Sequence, residues 1–247
     1  MKKFILLLSM IFFAFGYQYQ RPVHIFMIGD STMADKKPEG KPEIGWGQVL
    51  QLFFTSDVIV SNHARNGRSS KSFIGEGLWL AVLDSLQPGD YVIIQFGHND
   101  QKADTSRHTD PYTSYKANLE RYVNETRAKG AIPVLCTSIV RRKFDEEGKL
   151  VDTHGEYPDA VRMVAEQMSV PLIDLQEKTK NLVYALGPEK SKVLYLHTAP
   201  GEFDNRPDGI KDDTHLCNEG AKVIAAMAVE EMKVANLQVC EYLKANN

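Results

Sequence analysis

"HIFMIGDSTMAD", His24 to Asp35, sets an apolar run directly against a cluster of turn formers. Val23 to Ile28 is rich in β-branched and large apolar residues, which suits a buried strand, and Gly29-Asp30-Ser31 ends the run abruptly. A break of that kind places Ser31 on a strand-to-helix turn, with its hydroxyl at the exposed end. Working outward, short apolar runs alternate with amphipathic ones. Val58 to Ser61, Tyr91 to Gln95, Ile132 to Thr137 and Pro171 to Ile173 are predicted as further strands. Gly47 to Phe54, Phe73 to Leu86, Tyr112 to Lys129, Tyr157 to Met168 and Asn218 to Lys233 are predicted as helices. Strands alternating with helices imply a parallel sheet covered on both faces, an α/β class fold in a three-layer α/β/α arrangement. In that architecture ligands bind beyond the carboxyl ends of the strands.

Polar clusters stand at those ends: Gly29-Asp30-Ser31 after the first strand, Asn62 to Gly67 after the second, and Gly97-His98-Asn99-Asp100 after the third. They are expected to converge on one edge of the sheet. Asp212-Asp213-Thr214-His215 is predicted in a loop just before the last helix. The charged insertion "RRKFDEEGKLVDTHGEYP", Arg141 to Pro158, turns around Glu147-Gly148 and reads as a loop or small hairpin over the strand-end edge.

The chain opens with two lysines and an apolar run from Phe4 to Gly16, the layout of a secretory signal peptide of about 20 residues. Export to the periplasm or the exterior is therefore expected, with residues 21–247 as one domain and no membrane association after cleavage. A net charge of −3 and the lack of any basic block exclude a nucleic-acid partner. Cys136, Cys217 and Cys240 are too few and wrongly spaced for a disulfide scaffold or a CxxC metal site. No G-x-G-x-x-G follows the first strand, which disfavours a dinucleotide cofactor; no cofactor or metal is expected.

A serine hydroxyl needs a base within hydrogen-bond reach and a third group to orient that base. His215 and Asp212, three residues apart, can supply both to Ser31. Donors for a developing oxyanion are available from the backbone N–H groups of Ser31 and Gly67 and the side-chain amide of Asn99, at separate strand ends.

The ordered blocks "GDST", "NHARNGRSS", "GHND" and "DDTH" resemble those of the SGNH subgroup of GDSL hydrolases over nearly the whole mature chain. Within that superfamily "GWGQ", "FGHNDQK" and "VRRKFDEEGKLVDTHGEYP" are most similar to rhamnogalacturonan acetylesterases. The resemblance implies a flavodoxin-like fold with a five-stranded parallel sheet. It further implies Ser31 as nucleophile, His215 as base, Asp212 as its partner, and Ser31, Gly67 and Asn99 as the oxyanion hole. Its Asp-x-x-His pattern selects Asp212 over Asp213, which is left as a solvated or loop-bracing carboxylate.

The expected reaction is removal of acetyl groups from pectin, rhamnogalacturonan in particular, through a Ser-His-Asp acyl-enzyme. The partner is then an acetylated polysaccharide or oligosaccharide. A uronate-bearing glycan calls for positive charge near Ser31, and Arg65, Arg68 and Lys71 flank Gly67 while Arg141 and Arg142 follow the fourth strand. Arg68, Arg141, His98 and Trp46 are candidate substrate contacts. Trp46 reads equally as a core aromatic, and the basic residues equally as a solvated face. Competing functions are deacetylation of another glycan such as xylan, a metal-dependent hydrolase using His98, Asp100, Asp212, Asp213 and His215, a thiol nucleophile at Cys217, and a non-catalytic carbohydrate-binding protein.

Overall fold

A computed structural model describes residues 21–245. The predicted signal segment, 1–20, lies outside the described residues. Five parallel strands form the central sheet: β1 (Val23–Gly29), β2 (Val58–Asn62), β3 (Tyr91–Gln95), β4 (Ile132–Cys136) and the short β5 (Leu172–Ile173), in the order β2-β1-β3-β4-β5. The strand Tyr91–Gln95 is buried at every position, as a sheet covered on both faces requires. One face of the sheet, carrying Ile25, Met27 and Ile93, packs against α1 (Trp46–Val49), α6 (Leu175–Lys190) and α7 (Asn218–Val234). The other, carrying Phe26, Ile28 and Ile94, packs against α2 (Ser70–Gly75), α3 (Leu78–Leu83), α4 (Lys116–Ala128) and α5 (Tyr157–Gln167). The expected three-layer, flavodoxin-like α/β fold is therefore what the chain adopts.

Register decides where the polar clusters meet. Gly29 lies beside Gln95, Met27 beside Asn62, and Gln95 beside Cys136, so β1, β2, β3 and β4 end at nearly the same level. The order of strands reverses at β1, whose neighbours are β2 on one side and β3 on the other. The Ser31 turn thus opens into the crevice where an open α/β sheet binds its ligands.

Several expectations are corrected. The helix predicted over Phe73 to Leu86 is two helices, broken at Gly77, whose φ of +74° an L side chain adopts only at a cost. The helix predicted from Gly47 to Phe54 is one turn of α-helix continued by a 3-10 turn over Leu50–Phe53. Helix α6 went unpredicted: Gly187 and Pro188 interrupt its pattern, and Gly187 does leave the helical region. The segment containing Asp212 and His215 is not a loop but a strand, β7 (Ile210–Leu216), paired antiparallel with β6 (Tyr195–Thr198). Leu216 pairs with Tyr195 and Asp212 with Leu196, so residues 213–215 bulge out between adjacent partners. Asp and Asn are depleted in strands, which hid this one. In the insertion, a single antiparallel bridge between Phe144 and Leu150 makes the small hairpin that was expected.

Candidate active site

The β7 bulge is held by the residue that begins it. Asp212 Oδ1 accepts the backbone N–H groups of Thr214 (2.7 Å) and His215 (3.0 Å), turning the chain so that the His215 ring lies beside the same carboxylate. His215 Nδ1 is 2.7 Å from Asp212 Oδ2, and its Nε2 is 2.9 Å from Ser31 Oγ. Hydroxyl, imidazole and carboxylate form one continuous row. Burial alone would pull the imidazole down, yet the hydrogen bond and charge of Asp212, with Glu43 adding, hold it above the ordinary histidine value. Burial likewise works against the Asp212 carboxylate, and the bonds from His215 and Thr214 outweigh it, leaving the group well below the usual range. A hydroxyl in such a row can pass its proton to the imidazole as it attacks a carbonyl, and the carboxylate steadies the imidazolium formed.

The turn that presents Ser31 is braced from below. Trp46 Nε1 donates to Gln95 Oε1 (2.6 Å), Gln95 Nε2 donates to Thr32 Oγ1 (2.9 Å), and Thr32 donates from both Oγ1 (2.8 Å) and N (2.9 Å) to Asp30 Oδ1. This corrects Trp46 as a substrate contact: its side chain is fully buried, a core aromatic whose one polar atom is satisfied inside. Gly45 and Gly47 flank it because a Cβ there would lie 2.1 Å from the Ala34 carbonyl oxygen and 2.7 Å from that of Met33. The "GWGQ" signature is thus the packing of Trp46 under the nucleophile turn.

Ser31, Gly67, Asn99 and His215 line one depression of about 470 Å³. Gly67 sits in a left-handed turn with φ of +76°. Among the described residues no acceptor meets the backbone N–H of Ser31 or of Gly67. The Asn99 amide donates to the Arg68 carbonyl (3.0 Å), which fixes its side chain at the wall of the depression. Two loops are tied together here as well, since Asn62 Nδ2 donates to Met33 O (2.8 Å) and Asp35 Oδ1 (2.7 Å).

A GDSL-like lipase/acylhydrolase family profile matches residues 27–223. The chain belongs to this family. It is a carboxylic ester hydrolase, and its relatives narrow the comparison. The rhamnogalacturonan acetylesterase RhgT of Bacillus subtilis is 44% identical over 224 residues, 91% of this chain and 95% of its own length. A probable rhamnogalacturonan acetylesterase of the same organism, YesY, is 35% identical over 88% of this chain and 96% of its own. Among solved structures, the YxiM protein of B. subtilis superposes with a TM-score of 0.73 at 28% identity, covering 88% of this chain and 58% of that one. An acetyl-xylooligosaccharide esterase of Geobacillus, Axe2, has a TM-score of 0.62 at 20% identity over 86% of this chain and 94% of that one, a likeness of fold.

Other candidate residues of this hydrolase divide cleanly. Arg141 lines the depression, its guanidinium donating to the His98 carbonyl (3.1 Å) and to Thr153 O (3.1 Å). Arg68 does not: it pairs with Glu76 (2.8 Å) and faces a neighbouring depression that shares only Glu43 and Asn66 with the first. Arg65 faces that second depression too, Lys71 donates to the Thr105 carbonyl, and Arg142 is buried against Asp213 (2.7 Å). Asp213, bound also by His197 Nε2 (2.8 Å), is the loop-bracing carboxylate. Lys102, the last residue of "FGHNDQK" and not among the predicted contacts, lines the depression and, like Arg141, meets no carboxylate among the described residues. Cys217 caps α7 and donates to the Val193 carbonyl (2.9 Å), away from the Ser31 depression, so the thiol nucleophile falls. The supposed metal ligands are dispersed: among the described residues no group of three or more His, Cys, Asp or Glu is placed to hold an ion. Asp100, pushed up to about 7 by burial, is spent on Ser70, Thr109 and Gly97.

His98 also lines the depression, but no carboxylate accompanies it. Its Nδ1 is 3.0 Å from Nε2 of His154, which docks the insertion onto the loop that carries Asn99. Burial, then the other imidazole and Arg141, push His98 well down; burial and Arg141 push His154 down to about 3. In the unfolded chain both groups take up a proton near their ordinary value of about 6.5. The unfolded chain therefore binds more protons between about 6.5 and about 3, and stability falls as pH falls through that window. In urea titrations at pH 7 and about pH 4.5, His154→Gln is expected to lose less stability on acidification than the parent. Equal losses would show that the pair is not what titrates.

Proposed function

We propose that this hydrolase is an exported serine esterase that removes acetyl groups from pectin, rhamnogalacturonan in particular. The observation that carries the mechanism is the row Ser31 Oγ, His215 Nε2, His215 Nδ1, Asp212 Oδ2, with contacts of 2.9 and 2.7 Å. Ser31 attacks the acetyl carbonyl while His215 takes its proton. The N–H groups of Ser31 and Gly67 and the Asn99 amide receive the negative charge on the carbonyl oxygen. The imidazolium returns the proton to the departing sugar oxygen, leaving acetyl on Ser31. Water, deprotonated by His215, then releases acetate and restores the hydroxyl.

Support for a short acyl group comes from the lining, in which no large aliphatic side chain appears. An acetyl group needs only a small polar cavity, whereas a long acyl chain needs apolar walls. Support for an acidic glycan comes from Lys102 and Arg141, cations without carboxylate partners beside Ser31, and from the 44% identity to an enzyme named for rhamnogalacturonan. The export reading rests on the lysines and apolar run at the start of the chain. Among the described residues no helix is long and apolar enough to cross a membrane.

The substrate is tested by acetate release from acetylated rhamnogalacturonan and acetylated xylan under the same conditions. Release at least about tenfold faster from the pectic polymer is expected, a difference of about 1.4 kcal/mol in transition-state binding. Preference for xylan would overturn the substrate assignment while leaving the chemistry in place.

A further inference from the structure

One side chain that no sequence pattern singled out lies directly behind the nucleophile. The Lys36 side chain is 3% exposed. Its ammonium donates to the Ser31 carbonyl (2.6 Å) and Asn66 Oδ1 (2.6 Å), and pairs with Glu43 Oε1 (2.7 Å). All three N–H bonds are thereby occupied, by the nucleophile turn, by the residue before Gly67, and by a carboxylate of the segment that follows. That segment is fixed in turn, since Ile44 N–H donates to the Leu216 carbonyl (3.0 Å), the residue after His215. The same Glu43 oxygen stands 4.0 Å from His215 Nε2, across the ring from Asp212.

We propose that Glu43 is a second carboxylate partner of the His215 imidazole, restrained by Lys36, which at the same time ties the Ser31 turn to the Asn66-Gly67 loop. At 4.0 Å Glu43 is too far to accept a hydrogen bond from Nε2. It acts through its field, favouring the imidazolium that forms when Ser31 gives up its proton, without competing for the proton that must reach the leaving oxygen. Lys36 keeps it at that distance. Freed of Lys36, Glu43 could swing onto Nε2 and draw the imidazole off the serine. The inference rests on the Ser-His-Asp reading and adds two positioning residues to it.

The charged neighbours of the imidazole give the test its sign. Asp212 and Glu43 favour the protonated ring and Lys36 opposes it. Asp30, beneath the Ser31 turn, and His98, across the depression, also act on His215, and Lys102, Arg107 and Arg141 line the same space. Only the Glu43 and Lys36 contributions are removed by the variants below. Glu43→Gln is expected to move the acid-side midpoint of kcat/KM down by about half a pH unit, less than the roughly 1–3 units of an unpaired neighbouring charge because Lys36 pairs with the same carboxylate oxygen. Lys36→Met is expected to move it up, with kcat reduced about tenfold and KM little changed, because the loops it joins serve the chemical step. Lys36→Arg, which keeps the cation, is expected to stay near the parent midpoint.

Opposite shifts from the two removals are the signature. A role confined to folding would change the thermal midpoint and leave both pH midpoints where they were, and that result, or shifts of the same sign, would overturn the proposal. If Lys36→Met does not fold, Glu43→Gln decides by its sign. The same titration can be read from the His215 ring resonances by NMR in a Ser31→Ala background. That measurement does not depend on turnover, so failure of the serine mechanism and failure of the Glu43 role give different results.

Discussion

Ser31→Ala is expected to lower kcat for acetate release by about 10⁴-fold or more, with the fold and thermal midpoint preserved. The hydroxyl is the group of the row that takes the acetyl in the proposed cycle. Its removal leaves the Asp30 and Thr32 bonds that hold the turn intact, because none of them uses the Ser31 side chain. What survives should be the modest acceleration that a free-standing oxyanion site and substrate binding give to water. Parallel measurement of acetate release and thermal unfolding for parent and variant separates lost chemistry from lost structure. Activity within a few-fold of the parent would rule out the nucleophile.

Asp212→Asn is the second large effect, an expected loss of about 10³ to 10⁴ in kcat. The amide is nearly isosteric, yet it presents an N–H where the imidazole needs an acceptor, so His215 is driven toward the wrong tautomer. The contrast with Asp213→Asn carries the weight of the comparison. Asp213 braces Arg142 and His197, and its loss leaves the buried Arg142 guanidinium without its carboxylate. Asp213→Asn is therefore expected to cost about 1–3 kcal/mol of stability and only a few-fold in kcat. A reversal of the two phenotypes, read by steady-state kinetics and urea unfolding, would mean that the wrong carboxylate has been assigned.

The residues of the row were legible because each sits at a chain break whose local chemistry shows in one dimension. Gly-Asp-Ser ends an apolar strand, the glycine of "NHARNGRSS" follows the next, and Asp-x-x-His precedes a long amphipathic helix. The sheet and its order follow from the same alternation of periods. What escaped the sequence escaped for identifiable reasons. Trp46 in "GWGQ" gives no hint of direction, and only the closeness of the Ala34 and Met33 carbonyls shows why glycines flank it and why it points inward. Strand β7 is poor in β-formers, because its sequence serves the bulge that presents His215. Lys36 and Glu43 belong to "DKKPEGKPEIG", a stretch that looks like any solvated surface segment; their value depends on the Ile44 to Leu216 bond that folds it over the site. Basic charge was anticipated around Ser31, and of the side chains named for it Arg141 lines the depression. Arg68 is drawn off by Glu76 and Arg107 by Asp104, and the cations that face the site without a carboxylate partner among the described residues are Arg141, from the insertion, and Lys102, three residues past Asn99.

The measurement that goes most directly to the central claim is covalent labelling of the purified protein with a small fluorophosphonate, followed by peptide mass analysis. Activity should fall in proportion to the label bound, reaching zero at one equivalent, with the adduct on the peptide that carries Ser31 and no adduct in Ser31→Ala. Full inactivation with the label elsewhere, or undiminished acetate release from protein labelled on Ser31, would contradict a serine acyl-enzyme.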